Sequence, residues 1–121
     1  MGAKKTLPTY KLFDNVTVGS HGYVESNPTN ITNLDNISIQ FKYSTAVLGD
    51  PQNRLEINVS NDNVDYTPLN IPAMPSFDQQ TSFTIIFNLN QIAQPWIKLK
   101  YYSFENNDTF IDASIFGKDL N

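Results

Sequence analysis

Apolar and polar residues alternate with a period of two along much of this chain. Ile37, Ile39, Phe41 and Tyr43 alternate with Ser38, Gln40, Lys42 and Ser44, and Leu55, Ile57 and Val59 alternate with Glu56, Asn58 and Ser60. Successive side chains of a strand point to opposite faces, so each set predicts a strand with one face in a core and the other toward solvent. Residues 83–89 and 96–102 repeat the pattern. Residues 110–116 carry apolar side chains on both faces (Phe110, Ile111, Ala113, Ile115, Phe116), which predicts a strand lying centrally or between two layers. Near the front, 10–13 and 16–18 read as one or two short strands, Gly19–Gly22 as a turn and Tyr23–Glu25 as a return.

Clusters with turn chemistry separate these segments: Asn27–Asn30, Leu48–Asn53, Asn61–Asn63, Pro68–Pro75 and Asn106–Asp108. Pro72 and Pro75 make the stretch between Leu69 and Phe77 a crossing from one sheet to the other without strand pairing. Helical spacing of apolar residues is confined to a single turn's worth near Leu89–Gln94. Six to eight short strands in 121 residues predict an all-β fold: a single-domain antiparallel β-sandwich, jelly-roll or immunoglobulin-like, over residues 1–121.

Composition removes whole classes of function. With 40% hydrophobic and 17% charged residues, the chain can bury a core without a metal or disulfide staple. A net charge of -4 supplies no field to attract a phosphate backbone, so nucleic acid is not an expected partner. The absence of cysteine excludes thiol catalysis, thiolate metal sites and disulfides. No apolar run approaches the roughly 20 residues that span a bilayer, and no helical stripe would lie on one, so a soluble protein without a membrane partner is expected. The opening Met1–Pro8 has two lysines with no apolar stretch behind them, and a secretory leader is not expected.

Candidate chemistry is sparse. The one histidine, His21, lies between Ser20 and Gly22 and reads as an exposed turn residue without a catalytic partner set. The carboxylate pairs Asp108 with Asp112 and Asp62 with Asp65 flank Asn-rich turns, where such side chains cap backbone N–H groups. Asn61–Tyr66 has the alternating oxygens of a calcium loop, but Tyr66 stands in the glycine position and no glutamate follows at the needed distance. Asn-x-Ser/Thr triplets begin at Asn15, Asn30, Asn36, Asn58 and Asn107 and are not read as glycan sites, because no export signal precedes them. No catalytic, cofactor-binding or metal-binding residue is assigned, no cofactor is expected, and a non-enzyme is expected.

Three segments carry a resemblance. Leu55–Leu69 resembles the strand and Ser-Asn-Asp-Gly hairpin of small tailed-bacteriophage virion β-sandwich proteins and, more weakly, of discoidin-like modules. Trp96–Tyr101 resembles the partner strand of both groups, and Thr109–Leu120, with Gly117 and Lys118, resembles the closing strand of the virion proteins. The match runs from about residue 34 to 120; Asn63 replaces the usual glycine and Tyr66 the usual tryptophan, changes the hairpin tolerates because asparagine accepts a positive φ and tyrosine keeps an aromatic plug. The resemblance implies a bacteriophage virion structural protein assembled in the host bacterial cytoplasm. Its implied role is capsid decoration, or otherwise neck or tail, with the major capsid protein or other virion proteins as partners of a homo-oligomer or multi-copy array. Residues 1–12 are then a candidate N-terminal docking arm, and Lys4, Lys5, Leu7, Tyr10 and Phe13 the candidate partner-binding residues. The alternative is a carbohydrate- or surface-binding module using aromatic residues near loops, namely Tyr66, Phe77 and Trp96, although Trp96 opens a strand beside Ile97 and Leu99 and reads first as sheet packing.

Overall fold

The structure is a computed structural model that describes residues 9–32, 34–69, 76–89 and 92–118. Among the described residues nine strands occur: β1 Thr9–Val18, β2 Tyr23–Glu25, β3 Thr29–Asn30, β4 Asp35–Thr45, β5 Arg54–Ser60, β6 Thr67–Pro68, β7 Ser82–Leu89, β8 Trp96–Tyr102 and β9 Thr109–Lys118. One sheet has the order β1-β9-β4-β7 and the other β2-β8-β5-β6, with β3 pairing β8 beside β2. Every pairing is antiparallel.

The fold class is the one the alternation predicts, and the strand order settles its type. Six of the connections pass from one sheet to the other, and the eight principal strands interleave as two nested Greek keys, a jelly roll and not an immunoglobulin-like sandwich. The count of nine exceeds six to eight because β3 and β6 are two-residue pieces, too short to register as alternation. The front strand is one piece, not two: β1 runs through Asp14 and Asn15 by means of register shifts between Lys11 and Phe13 and between Phe13 and Val16. Asn15 takes φ 47° at the second shift, a left-handed conformation that asparagine tolerates better than most residues. No helix occurs among the described residues. Residues 70–75, including Pro72 and Pro75, lie outside them, as do 90 and 91 within the Leu89–Gln94 segment.

The alternating residues meet between the sheets. Ile37, Ile39, Phe41 and Tyr43 of β4, Ile111, Ala113 and Ile115 of β9, Leu55, Ile57 and Val59 of β5, and Ile97, Leu99 and Tyr101 of β8 are all buried. Phe77, from the β6–β7 connection, fills one end of this core. Its ring lies 4.9 Å from Tyr43, 5.2 Å from Phe83, 5.8 Å from Tyr101 and 6.4 Å from Phe41, within the range of favourable aromatic pairs.

Candidate functional site

The outer faces of the two sheets differ in how far their side chains satisfy one another. On the β2-β8-β5-β6 sheet, Glu25 pairs with Lys98 at 3.1 Å and Lys100 at 3.6 Å, and Arg54 pairs with Glu56 at 3.2 Å. The Lys98 ammonium holds the Glu25 carboxyl below its ordinary range, helped by the Tyr23 hydroxyl. Tyr23 stacks on Tyr102 at 4.7 Å, Arg54 covers Tyr102 at 4.5 Å, and Lys98 lies 4.2 Å above Tyr66. Charges and rings on this face are largely occupied with each other.

The outer face of the β1-β9-β4-β7 sheet presents apolar side chains to solvent. Phe110 and Phe116, on the central strand β9, are 49% and 36% exposed, and Ile86 on β7 is 55% exposed. Register places Phe110 between Thr17 and Ser44, and Phe116 between Thr9 and Ser38. These rings stand on the strand with a partner on each side, so their backbone is fixed before anything binds.

Between the phenylalanines sits Asp112. Both its oxygens accept bonds from Lys11 Nζ at 2.8 Å, and Oδ1 also accepts the Asn15 backbone N–H at 3.1 Å. Burial alone would raise the Asp112 carboxyl, but Lys11, the Asn15 N–H and the charge of Lys42 outweigh it and hold the group below its ordinary range. The bulge at Asn15 thus turns an amide toward the carboxylate. Beside this pair a half-open groove of about 400 Å³ is lined by Asn15, Lys42, Ser44, Thr84, Phe110 and Asp112, among others.

A second feature closes one end of the sandwich. Glu105, buried in the β8–β9 connection, has one oxygen that accepts bonds from the Asp50 N–H at 2.6 Å, Asn53 Nδ2 at 2.7 Å and the Tyr43 hydroxyl at 3.1 Å. Asn53 Oδ1 in turn accepts the Phe104 N–H at 2.6 Å. These bonds tie the β4–β5 loop to the β8–β9 loop, and so one sheet to the other. Burial, and the neighbouring Glu105, push the Tyr43 and Tyr101 hydroxyls well above the ordinary tyrosine range.

The residues singled out in the sequence are dispersed. Lys4, Lys5 and Leu7 lie outside the described residues. Tyr10 is exposed on β1, while Phe13 is buried in the core, because the register shift beside it turns its side chain inward opposite Ala113. Residues 9–12 belong to β1, where Thr9, Tyr10 and Lys11 pair with β9 and Leu12 falls at the first register shift. His21 is exposed in the turn, with Nε2 2.9 Å from Asn106 Oδ1. Asp62 Oδ1 accepts the N–H groups of Val64 and Asp65 and the Ser60 hydroxyl, each at 2.9 Å, the capping role expected of it. Those amides, Asp65 first, keep its carboxyl below the ordinary range. Asn63 takes φ 60°, as expected where the hairpin usually has glycine. Of the aromatic residues near loops, Phe77 is core, and Tyr66 and Trp96 are half-buried, so none is a freely presented platform. Tyr10, Tyr23, Phe104, Phe110 and Phe116 carry exposed rings; Phe110 and Phe116 alone among them stand on an interior strand of a sheet, and their signal was the doubly apolar pattern of 110–116.

No protein-family model matches the sequence, and no curated protein matches it. Among solved structures, the SPBc2 prophage-derived protein YomS superposes with a TM-score of 0.52 at 12% identity over 93% of this chain and 94% of that one. A carbohydrate-binding module, CBM6cm-2 of Cellvibrio mixtus lichenase 5A in complex with cellotriose, gives 0.45 at 12% identity over 93% and 87%. The exo-β-1,3-galactanase of Phanerochaete chrysosporium gives 0.39 at 15%, with this chain spanning 30% of its length. The first of these likenesses shows a shared β-sandwich fold with a prophage-derived protein.

Proposed function

We infer that this protein is a non-enzymatic structural component of a tailed-phage particle, and in its finer form a capsid decoration protein that binds the major capsid shell in many copies. The observation that supports this reading is the pair of phenylalanines exposed on the central strand of an otherwise well-paired sheet. Large apolar side chains held on a rigid face bind a partner with little further loss of conformational freedom. Covering the exposed parts of two rings of ~200 Å² each at ~25 cal/mol per Å² would contribute about 4 kcal/mol per copy before the costs of association. Repetition on a lattice multiplies a weak contact of this size. The sequence resemblance of the closing strand, which is β9 itself, points to the same kind of protein. Tyr10, exposed on β1, stays among the proposed partner contacts, whereas Phe13 belongs to the core.

Mass spectrometry of purified particles tests this reading, together with rebinding of the protein to particles that lack it. The protein is expected in stoichiometric amounts, and Phe110→Ala with Phe116→Ala should abolish rebinding while leaving the circular dichroism unchanged. Its absence from particles removes the proposal.

A second reading is favoured by the groove beside Phe110. A ring flanked by Asn15, Lys42, Ser44, Thr84 and Asp112 offers one apolar plane with both donors and acceptors, the combination a sugar ring needs. Micromolar binding on a glycan array, lost in Phe110→Ala, would favour a carbohydrate-binding module over a decoration protein.

A further inference from the structure

The two sheets have four edges, and three of them carry features that block the addition of another strand. Strand β1 is interrupted by two register shifts and bears Lys11 and Asp14. The β2/β3 edge is made of pieces of three and two residues, with Pro28 between them. Strand β6 is two residues long and ends in Pro68.

The fourth edge is different. Strand β7, Ser-Phe-Thr-Ile-Ile-Phe-Asn-Leu, has no charge, proline or glycine in eight residues. Its register with β4 is unbroken from Ile37 opposite Leu89 to Ser44 opposite Ser82. Among the described residues it has a partner on one side only.

The direction of its free amides follows from the ladder. The Thr45 N–H donates to the Thr81 carbonyl at 2.8 Å, one step beyond Ser44 and Ser82, so this is a hydrogen-bonded pair. Such pairs recur every second residue in an antiparallel ladder. The odd-numbered residues of β7 therefore turn their backbone groups to β4, and Ser82, Thr84, Ile86 and Asn88 turn theirs outward. The side chains of those same four residues are exposed.

We propose that β7 pairs antiparallel with β7 of a second copy of this chain, about a two-fold axis at Ile86, joining two four-stranded sheets into one of eight strands. Only registers that set even residues opposite even residues keep the buried faces continuous across the junction. Placing the axis at Ile86 does this: Ile86 meets its own copy, Thr84 meets Asn88, Ile85 meets Phe87 and Phe83 meets Leu89. Polar residues oppose polar and apolar oppose apolar, and about six N–H···O bonds form from the outward groups. The strand is its own complement. Because it carries no charge, a copy approaches without local repulsion despite the net charge of -4 of each chain.

Sedimentation velocity over about 5 to 500 µM tests the proposal. The wild-type protein should pass from the 13.7 kDa monomer to twice that mass. Ile86→Lys and Asn88→Lys, both at exposed positions, should weaken the dimer by at least ~100-fold while keeping the circular dichroism of the parent, since each sets like charges close to the junction. The chain has no cysteine, so Ile86→Cys provides a second reading. Opposed Cα atoms at about 5.5 Å fall within disulfide reach, and oxidation should give a covalent dimer, whereas Val64→Cys in the β5–β6 hairpin should not. A protein that stays monomeric at every concentration, or a dimer indifferent to Ile86→Lys, overturns the proposal.

Discussion

Removing the Glu105 side chain is expected to cost this protein much of its stability, although Glu105 lies in a connection and contributes nothing to a strand. In Glu105→Ala, Asn53 Nδ2 and the Tyr43 hydroxyl lose their acceptor inside the core, and the part-buried Asp50 N–H loses its own. A buried donor left without a partner costs ~1–3 kcal/mol, so the two buried groups and the partly buried amide together give a loss of about 3–6 kcal/mol. A domain of this size has ~5–15 kcal/mol in all. With a urea m-value of about 2 kcal/mol per M, the midpoint should fall by roughly 2 M. Glu105→Gln keeps a carbonyl oxygen for the same donors but replaces charge-assisted bonds by neutral ones of about half the strength, and should lose only ~1–2 kcal/mol. Urea unfolding followed by the fluorescence of the single tryptophan, Trp96, and by far-ultraviolet circular dichroism measures both variants. If Glu105→Ala stays within ~1 kcal/mol of the parent, or Glu105→Gln is as damaging as the alanine, the three-donor clamp is not what holds this end of the sandwich together.

Acid should destabilise the fold through Asp112, Glu25 and Asp62, whose carboxyls are held below their ordinary range; a lowered folded-state pKa gives stability that is present above pH ~4 and lost as pH falls through the folded value. Asp112→Asn should flatten the low-pH limb of a plot of urea midpoint against pH, and an unchanged limb refutes the contribution of the Lys11 pair. Alkali should act through Tyr43 and Tyr101, whose hydroxyls are raised by burial, so stability is full below pH ~10 and declines above it. Part of the tyrosinate absorbance should therefore develop only as the β-sheet dichroism disappears, and complete tyrosine titration of a folded protein would contradict this. Gly49→Ala would set a methyl group 2.1 Å from the Phe77 carbonyl oxygen and 2.9 Å from the Tyr43 hydroxyl, and should lower the melting temperature by roughly 10 °C; calorimetry showing no shift would mean that the Phe77 connection yields freely.

The strands that were legible in the sequence are those with one face in the core. In β4 and β5 the period of two names the buried residues directly, because solvent on the other face selects polar side chains. Strand β9 was legible as central, but pattern alone does not tell an outer face covered by another layer from one left open, so Phe110 and Phe116 emerge as site residues only in three dimensions. Phe13 is an instructive case. Between Lys11 and Asp14 it looks like part of an exposed arm, yet the register shift beside it turns it into the core. The Glu105 clamp left no local trace at all, since its partners Tyr43 and Asn53 lie 62 and 52 positions away.

The placement of β9 also bears on how the molecule is made. It comes last of the nine strands in the described residues, yet it is the link between β1 and β4, and contacts such as Lys11 with Asp112 join residues 101 positions apart. A nascent chain emerging from the ribosome therefore holds β1 without a neighbour until Thr109–Lys118 appears, and chain closure over such separations is slow. Until then Phe13, Ile39 and Phe41 stand on strands that lack the neighbour joining them, so synthesis leaves an interval in which chaperones and proteases compete with completion of the sheet.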